Sequence, residues 1–339
     1  MFRRVIIFSC VLWGLAEAGA HCGFQMECVP QGLCKSPENV QGFQSPCQRH
    51  ESCCHSSQIL TVGAPLNCGM SNPNGLGNGP LVDVNQAMPH EFPWVVALMQ
   101  PDTSFFGAGT LVTENVVITA GHLMQDKKVT DFLIVAGAWD LNQLYQSTVA
   151  TRSPARIISH PGFDNQTGAN NIALIILDLS FNLKPTIGTI CWPTPGVSFD
   201  RERCVVAGWG RQNTLVQQYS SRQKKIELPI VNSAWCEDQL RRTLDMSYKL
   251  DSTLLCAGGE RSRDACDGDG GSPLMCPILG HPGIYQFVGI VSSGVSCGME
   301  NVPGVYTDIA KMKSWIDDHL SDELNKPYKS FPVYNIDFD

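Results

Sequence analysis

Apolar and polar positions divide the chain of 339 residues into stretches of different period. Arg3 and Arg4 precede a largely apolar run, Val5 to Leu15, and two small-x-small triplets follow, Ala16-Glu17-Ala18 and Ala18-Gly19-Ala20. That layout predicts a secretory signal peptide over residues 1–20, removed before Gly19 or before His21. The run is shorter than the roughly 18 residues that span a bilayer and is followed by Glu17, so it reads as a signal and not as an anchor. From Leu81 to about Leu320, short β-branched apolar runs recur between turn residues: Trp94–Met99, Gly109–Thr119, Phe132–Gly137, Ile172–Leu177, Cys204–Ala207, Lys225–Val231 and Phe287–Val291. Each predicts a strand, and about 240 residues of short strands suggest barrels or a sandwich. Only the end differs. Ile309, Met312, Ile316 and Leu320 recur at helical spacing behind a cap at Thr307 or Asp308. The polar stretch Ser321 to Asp339 reads as a loose tail.

The cysteines add a second division. Removing the signal removes Cys10 and leaves 14 of the 15 cysteines, an even set that in a secreted chain reads most simply as disulfides. Seven lie between Cys22 and Cys68 and seven between Cys191 and Cys297. The first six occupy residues 22–54, too short a segment to build an apolar core, so it has to be stapled. Six cysteines allow fifteen pairings, and spacing does not choose among them. Zinc is the competing reading, disfavoured by the lack of paired C-x2-C knuckles and by the oxidising compartment. Residues 55–80 shift to Ser, Asn, Gly and Pro and predict an irregular, exposed linker in which Cys68 has a distant partner. The net charge of −8 argues against nucleic acid and anionic membrane as partners. The eight histidines show no metal spacing, so neither a metal nor a cofactor is expected.

Three signatures then change the picture: Thr119-Ala120-Gly121-His122, Asn170-Asn171-Ile172-Ala173-Leu174, and Cys266-Asp267-Gly268-Asp269-Gly270-Gly271-Ser272-Pro273-Leu274. With Glu91-Phe92-Pro93-Trp94, Ala207-Gly208-Trp209-Gly210 and Pro303-Gly304-Val305-Tyr306-Thr307, they make residues 81–320 resemble the chymotrypsin-like serine proteases. The module at 22–54, ending in adjacent Cys53-Cys54, resembles the clip domain of arthropod serine proteases. The resemblance implies an all-β fold, a double six-stranded barrel with its active site in the cleft and a C-terminal helix, preceded by a small disulfide-stapled clip domain. It also implies the disulfides Cys22–Cys53, Cys28–Cys47, Cys34–Cys54, Cys204–Cys276, Cys236–Cys256 and Cys266–Cys297. Cys68 and Cys191 are then left to tie the linker to the protease-like domain. Gly107 and Leu123 stand where the family has a further bonded pair.

Acyl transfer needs a nucleophile, a base and a group that orients the base. By resemblance, His122 occupies the base position, Asn171 replaces the orienting carboxylate and Gly270 replaces the nucleophilic serine. An amide in place of that carboxylate can hold the ring in the wrong tautomer, a defect of about 10⁴ in rate among active members of this same family. Loss of the serine is of the order of 10⁶. Ser272 lies two residues along, outside the tolerance of about 0.5 Å that a catalytic constellation allows. The positions are therefore vestigial and no catalysis is expected. What remains is apparatus for binding. Asp264 sits where trypsin-like members receive a substrate Arg or Lys. Gly294 and Gly304 match the glycines that keep that pocket open, and Gly268 and Gly270 occupy the oxyanion position. Ser293 replaces the usual Trp beside the pocket, so inherited residues without a present ligand are the competing reading.

In active relatives a cut after Arg or Lys frees an Ile amine that pairs with the aspartate at 269. Here the matching stretch is Pro80-Leu81-Val82-Asp83-Val84, and no Arg or Lys occurs from Glu51 to Asp126. The usual maturation is not expected, and Lys35 and Arg49 are the nearest basic processing candidates. Asn165-Gln166-Thr167 is a glycosylation acceptor in a surface loop. Arg222-Gln223-Lys224-Lys225 and Arg241-Arg242 read as solvated faces. The resemblance implies a secreted, non-catalytic homologue that docks proteases and their zymogen substrates, prophenoloxidase among them, in melanisation. A decoy for Arg- or Lys-containing substrates and a residual endopeptidase are the alternatives.

Overall fold

The computed structural model describes residues 26–30, 51–55, 67–76, 85–212 and 215–324. The chain divides into two compact units, Met1–Ala64 with Leu279–Pro282 and Pro65–Ile278 with Gly283–Asp339. In the first unit the described strands are an antiparallel pair, β1 (Met26–Pro30) and β2 (Glu51–His55), with Cys28 and Cys53 as register partners. Cys54 is disulfide-bonded. Each of the three implied clip pairings has one member outside the described residues, as do Lys35, Arg49, the predicted signal and the chain beyond Leu324.

The second unit begins with β3 (Val95–Met99), β4 (Phe105–Thr113), β5 (Val116–Thr119), β6 (Leu133–Ala136), β7 (Ala150–Arg152), β8 (Pro154–Ser159) and β9 (Ala173–Leu177). These form one sheet ordered β7-β6-β3-β4-β5-β9-β8. Next come β10 (Arg203–Gly208), β11 (Lys224–Val231), helix α1 (Ser233–Thr243), β12 (Leu254–Gly258), β13 (Pro273–Pro277), β14 (Tyr285–Ser293), β15 (Pro303–Asp308) and helix α2 (Ile309–Leu324). Here the strands close into a barrel ordered β10-β11-β12-β15-β14-β13. The all-β, chymotrypsin-like expectation is met. The first sheet has seven strands because one extended segment is divided at Ser153–Pro154. Its first part pairs with β6, its second with β9, and the ladder is irregular between Pro154 and Arg156. Proline has no N–H to give to a ladder. Counted once, that segment makes six strands, and the sheet closes through the chain itself.

Other departures from the sequence reading have equally local causes. The apolar run Gly109–Thr119 is two strands, because the chain turns at Glu114-Asn115 and Thr113 Oγ1 donates to Asn115 Oδ1 at 3.0 Å. Helix α1 falls in a polar stretch where the apolar pattern predicts no element. Asn232 Oδ1 caps it by accepting from the N–H groups of Ala234 and Trp235, and it buries only Cys236 and Leu240. Arg241 and Arg242 pair one turn back with Glu237 and Asp238, on the solvated face expected of them. The cap of α2 is Asp308, whose Oδ1 accepts from Ala310 N–H at 2.9 Å. The helix buries Ile309, Met312 and Ile316 and runs four residues past Leu320, into the stretch read as a loose tail.

One apolar cluster joins the two sheets. It runs from Trp94, Leu98, Leu111, Ile118 and Leu174 of the first to Val205, Trp209, Met275 and Phe287 of the second. Trp94 Nε1 donates to Met275 Sδ across the junction. Burying a side chain of this size contributes about 1.5–3 kcal/mol, so the shared cluster holds the sheets at a fixed separation.

Part of the expected linker is not free. Residues 67–76 lie along the protease-like domain: Gly69 N–H donates to Thr189 O, Ser71 N–H to Gly283 O and Asn72 N–H to Glu91 O. Gly69 has φ +65°, and a Cβ there would stand 2.1 Å from Tyr285 O, so only glycine fits. Cys68 is bonded to Cys191, 123 residues away. Cys204–Cys276, Cys236–Cys256 and Cys266–Cys297 are the other described disulfides. Replacing Cys68 and Cys191 together by Ala is expected to lower stability by about 2–5 kcal/mol, read from denaturant midpoints of the oxidised protein. An unchanged midpoint would show that the backbone bonds of residues 67–76 hold this segment without the crosslink.

Candidate functional site

His122 stands on a 3-10 turn, Gly121–Met124, that follows β5. Asn171 precedes β9, and β5 and β9 are paired from Val116↔Ile176 to Thr119↔Ala173, so the two side chains meet at one end of that ladder. Asn171 is buried and Thr307 Oγ1 donates to its carbonyl at 2.9 Å. Three contacts settle the amide's orientation. His122 N–H donates to Asn171 Oδ1 at 2.8 Å, and a backbone N–H only donates. Asn171 Nδ2 then donates to Ser292 Oγ at 2.7 Å and lies 2.9 Å from His122 Nδ1, closer than Oδ1 at 3.3 Å. Nδ1 therefore faces a donor and accepts, which leaves the ring proton on Nε2. Burial, the largest cause, holds the imidazole below its ordinary pKa.

Nε2 points at Gly270. A Cβ built there would lie 3.2 Å from Nε2, yet no side chain is present. Among the described residues no hydroxyl hydrogen-bonds to Nε2. Ser272 is fully buried and faces Gly208, where an added Cβ would lie 2.4 Å from its Oγ. Leu123 fills the neighbouring space: a Cβ at Gly107 would be 2.6 Å from Leu123 Cδ1, and one at Gly270 would be 3.8 Å from Cδ2. The leucine thus occupies the room opposite Gly107 that a bonded pair would take.

A cavity of about 380 Å³ opens between the two sheets. His122, Gly268 and Gly270 line one part of it, and Asp264, Gly294 and Gly304 another. The sequence-predicted pocket and triad positions are therefore brought to one cleft, with Asn171 behind the histidine. Asn165 is exposed in a separate turn where Thr167 Oγ1 donates to Asp164. Asp264 is buried, and its Oδ2 accepts from Gly298 N–H at 3.1 Å while Oδ1 meets no protein donor. A Cβ at Gly304 would sit 3.1 Å from that Oδ1, and none at Gly294 would touch anything within 4 Å. Desolvation raises the Asp264 pKa to about 6, although the Gly298 and Ala265 N–H groups work against it. Such a carboxylate is suited to a cationic group entering from the cavity.

The sequence reading missed how Asp269 is held. This carboxylate is fully buried beneath the Cys266–Ser272 segment, and its counter-ion is Lys224 of β11, 2.5 Å away. The stretch 222–225 is therefore not a solvated face. Gln223 and Lys224 are buried, and Lys225 pairs with the buried Glu91 at 2.6 Å. The legible signal was local, since Lys224 opens an alternating strand with its side chain on the inward side. The Pro80–Val84 stretch lies outside the described residues. Among the described residues no cluster of three metal-ligating groups occurs.

The raised pKa of Asp264 has a consequence for stability. Between about pH 4 and pH 6 the folded state holds a proton that the unfolded state has lost, so stability falls as pH rises through that window. Asp264→Asn is expected to leave the melting temperature unchanged below pH 4. Above pH 6 it should raise stability by about 2–3 kcal/mol. Equal pH profiles for the two proteins would refute the burial argument.

Residues 81–316 match the trypsin family. Over 275 residues the chain is 34% identical to phenoloxidase-activating factor 2 of Galleria mellonella, covering 75% of this chain and 89% of that protein. It is 35% identical over 297 residues to inactive CLIP domain-containing serine protease A8 of Anopheles gambiae, covering 81% and 80%. With CLIP domain-containing serine protease B4 of the same mosquito it shares 31% over 339 residues, 90% of each chain. The double-sheet fold, the His122 turn and the Asp264 cavity thus occur in a chain that belongs to the trypsin family, among the CLIP-domain serine proteases and their inactive homologues.

Proposed function

We propose that this chain is a secreted, non-catalytic member of its family that acts as a cofactor or regulator of an extracellular protease cascade of the phenoloxidase-activating kind. The observation that carries the reading is Gly270: the nitrogen of the base position faces backbone and has nothing to deprotonate. Asn171 adds to it. A triad base must take a proton at Nε2, and here that nitrogen already carries one because Nδ1 accepts from the amide. Similarity to a phenoloxidase-activating factor and to homologues named inactive points to melanisation as the setting. The partners in this reading are secreted proteases and their zymogen substrates, prophenoloxidase among them. The signal-like residues 1–20 support export, Asn165 is a solvent-facing glycosylation acceptor, and no described helix is long and apolar enough to cross a membrane. Residues 22–54 form the clip module, residues 55–80 the connection, and residues 81–320 the docking scaffold.

A second reading rests on a specific observation. Asp264 lines the cavity and its buried Oδ1 lacks a protein donor, so the chain would hold an Arg or Lys side chain of a partner there without cutting it. The two readings share one scaffold, and Asp264→Asn separates them: loss of partner binding assigns the contact to the pocket, and retention assigns it to the surface and clip module.

Purified protein is expected to give no turnover of a fluorogenic Arg-peptide and no covalent labelling by a fluorophosphonate. Labelling would overturn the reading. Gly270→Ser alone should stay about 10⁴ below the double variant Gly270→Ser/Asn171→Asp in kcat, because only the carboxylate restores the useful tautomer. Equal rates would show that Asn171 does not set the ring's proton.

A further inference from the structure

The wall of the cleft carries a buried charge that the proposed binding role does not itself explain. Asp269 lies in the segment whose neighbours Gly268 and Gly270 line the cavity, and it is wholly removed from water. A buried carboxylate without a cation is among the costliest features a fold can hold. Here every lone pair in use is met from inside the domain. Oδ1 accepts from Gly210 N–H at 2.9 Å, and Oδ2 accepts from Cys266 N–H at 2.9 Å and from Lys224 Nζ at 2.5 Å. Lys224 Nζ also donates to Arg211 O at 2.7 Å, so the ammonium ties the segment after β10 to the segment that carries Asp269.

The surroundings are shaped for this pair. A Cβ at Gly210 would stand 2.5 Å from Asp269 Cγ, and one at Gly208 would stand 2.7 Å from Asp269 Oδ1. Lys224 is held at the start of β11 by its register with Gly208 of β10 and by a bridge to Gln86. The lysine is only 4% exposed. A long flexible ammonium is kept in such a place only when its charge is matched by a fixed partner.

We infer that Lys224 is a positioning residue for the binding cleft: its ammonium, reaching Asp269 from strand β11, holds the wall Cys266–Ser272 in its open arrangement in the intact chain, with no cleavage and no chain end required. The ligand-binding part of this inference rests on the reading of the Asp264 cavity as a site for a cationic side chain. The wall itself does not. Because the cation is part of a strand, the cleft is assembled as soon as the barrel folds. The docking surface is then constitutive, and any control of the protein acts elsewhere than on this cleft.

The test uses the full-length, uncut protein with p-aminobenzamidine, an aromatic amidine, as the cationic probe, and amide hydrogen exchange as an independent readout. The uncut wild type is expected to bind the probe, with Lys224→Met weakening binding at least tenfold. Peptides covering 210–212 and 264–272 should exchange at least tenfold faster in Lys224→Met, while peptides from β3 to β9 keep their protection. The double variant Lys224→Met/Asp269→Asn, which leaves no charge buried, separates loss of the pair from general unfolding: it should restore global stability but not the wall's protection. If the wild type fails to bind the probe but the wall's exchange still depends on Lys224, the cavity reading falls and the inference stands. If Lys224→Met leaves exchange at 264–272 unchanged, or if the wild type acquires protection there only after proteolytic cutting, the inference is overturned.

Discussion

A carboxylate taken wholly out of water must be met by a cation and by oriented donors, and Asp269 is the place where this chain meets that requirement. The ion pair with Lys224 and the N–H groups of Gly210 and Cys266 turn the segment 266–272 into a rigid wall. Everything else in the cleft is measured from that wall. Gly270 O accepts from Ala108 N–H at 3.1 Å, which registers the wall against strand β4 of the other sheet. Gly268 and Gly270 are thereby placed beside His122, and the disulfide Cys266–Cys297 carries the same constraint across to the rim that bears Gly294.

On this frame, the triad positions and the Asp264 cavity rest on different atoms. The hydrogen-bond order around His122 is consistent throughout, from Ser292 Oγ through the Asn171 amide to Nδ1, and it leaves the imidazole neutral with its proton facing a glycine. None of this damages the scaffold, because an asparagine satisfies the same backbone N–H that a carboxylate would, and a glycine leaves a space that Leu123 partly fills. Asp264 meanwhile lines the cavity with one buried oxygen unmet by any protein donor, and a Cβ at Gly304 would crowd that oxygen at 3.1 Å. A site can lose turnover and retain a shaped, charged recess, since the two depend on different atoms.

The connection upstream of the protease-like domain is fixed by equally specific contacts. Its composition is that of a flexible linker, yet residues 67–76 lie in a path set by Cys68–Cys191, by Gly69 against Tyr285 and by Asn72, whose Nδ2 donates to the carbonyls of His90 and Pro185. Ser, Asn, Gly and Pro lack apolar bulk, but they supply donors, acceptors and unusual backbone angles, which are what a chain laid along a surface needs.

By itself the sequence determined the fold class, the family and the identity of the residues in the cleft. Alternating and β-branched runs have a period that only strands satisfy, and motifs such as Thr119–His122 and Cys266–Leu274 are contiguous, so no tertiary contact is needed to recognise them. What only the tertiary structure decided were relations between distant positions. The tautomer of His122 depends on which end of the Asn171 amide faces a backbone N–H 49 residues away. The filling of Gly107 by Leu123 depends on β4 passing over the histidine turn. The role of Lys224 depends on its lying 2.5 Å from a carboxylate 45 residues further on. In the sequence it is one of three basic residues within four positions, which look alike. The alternation from Lys224 through Leu228 and Ile230 marks the inward side of the strand, but the carboxylate that waits there is set by what packs over the residue, which is a property of the folded chain.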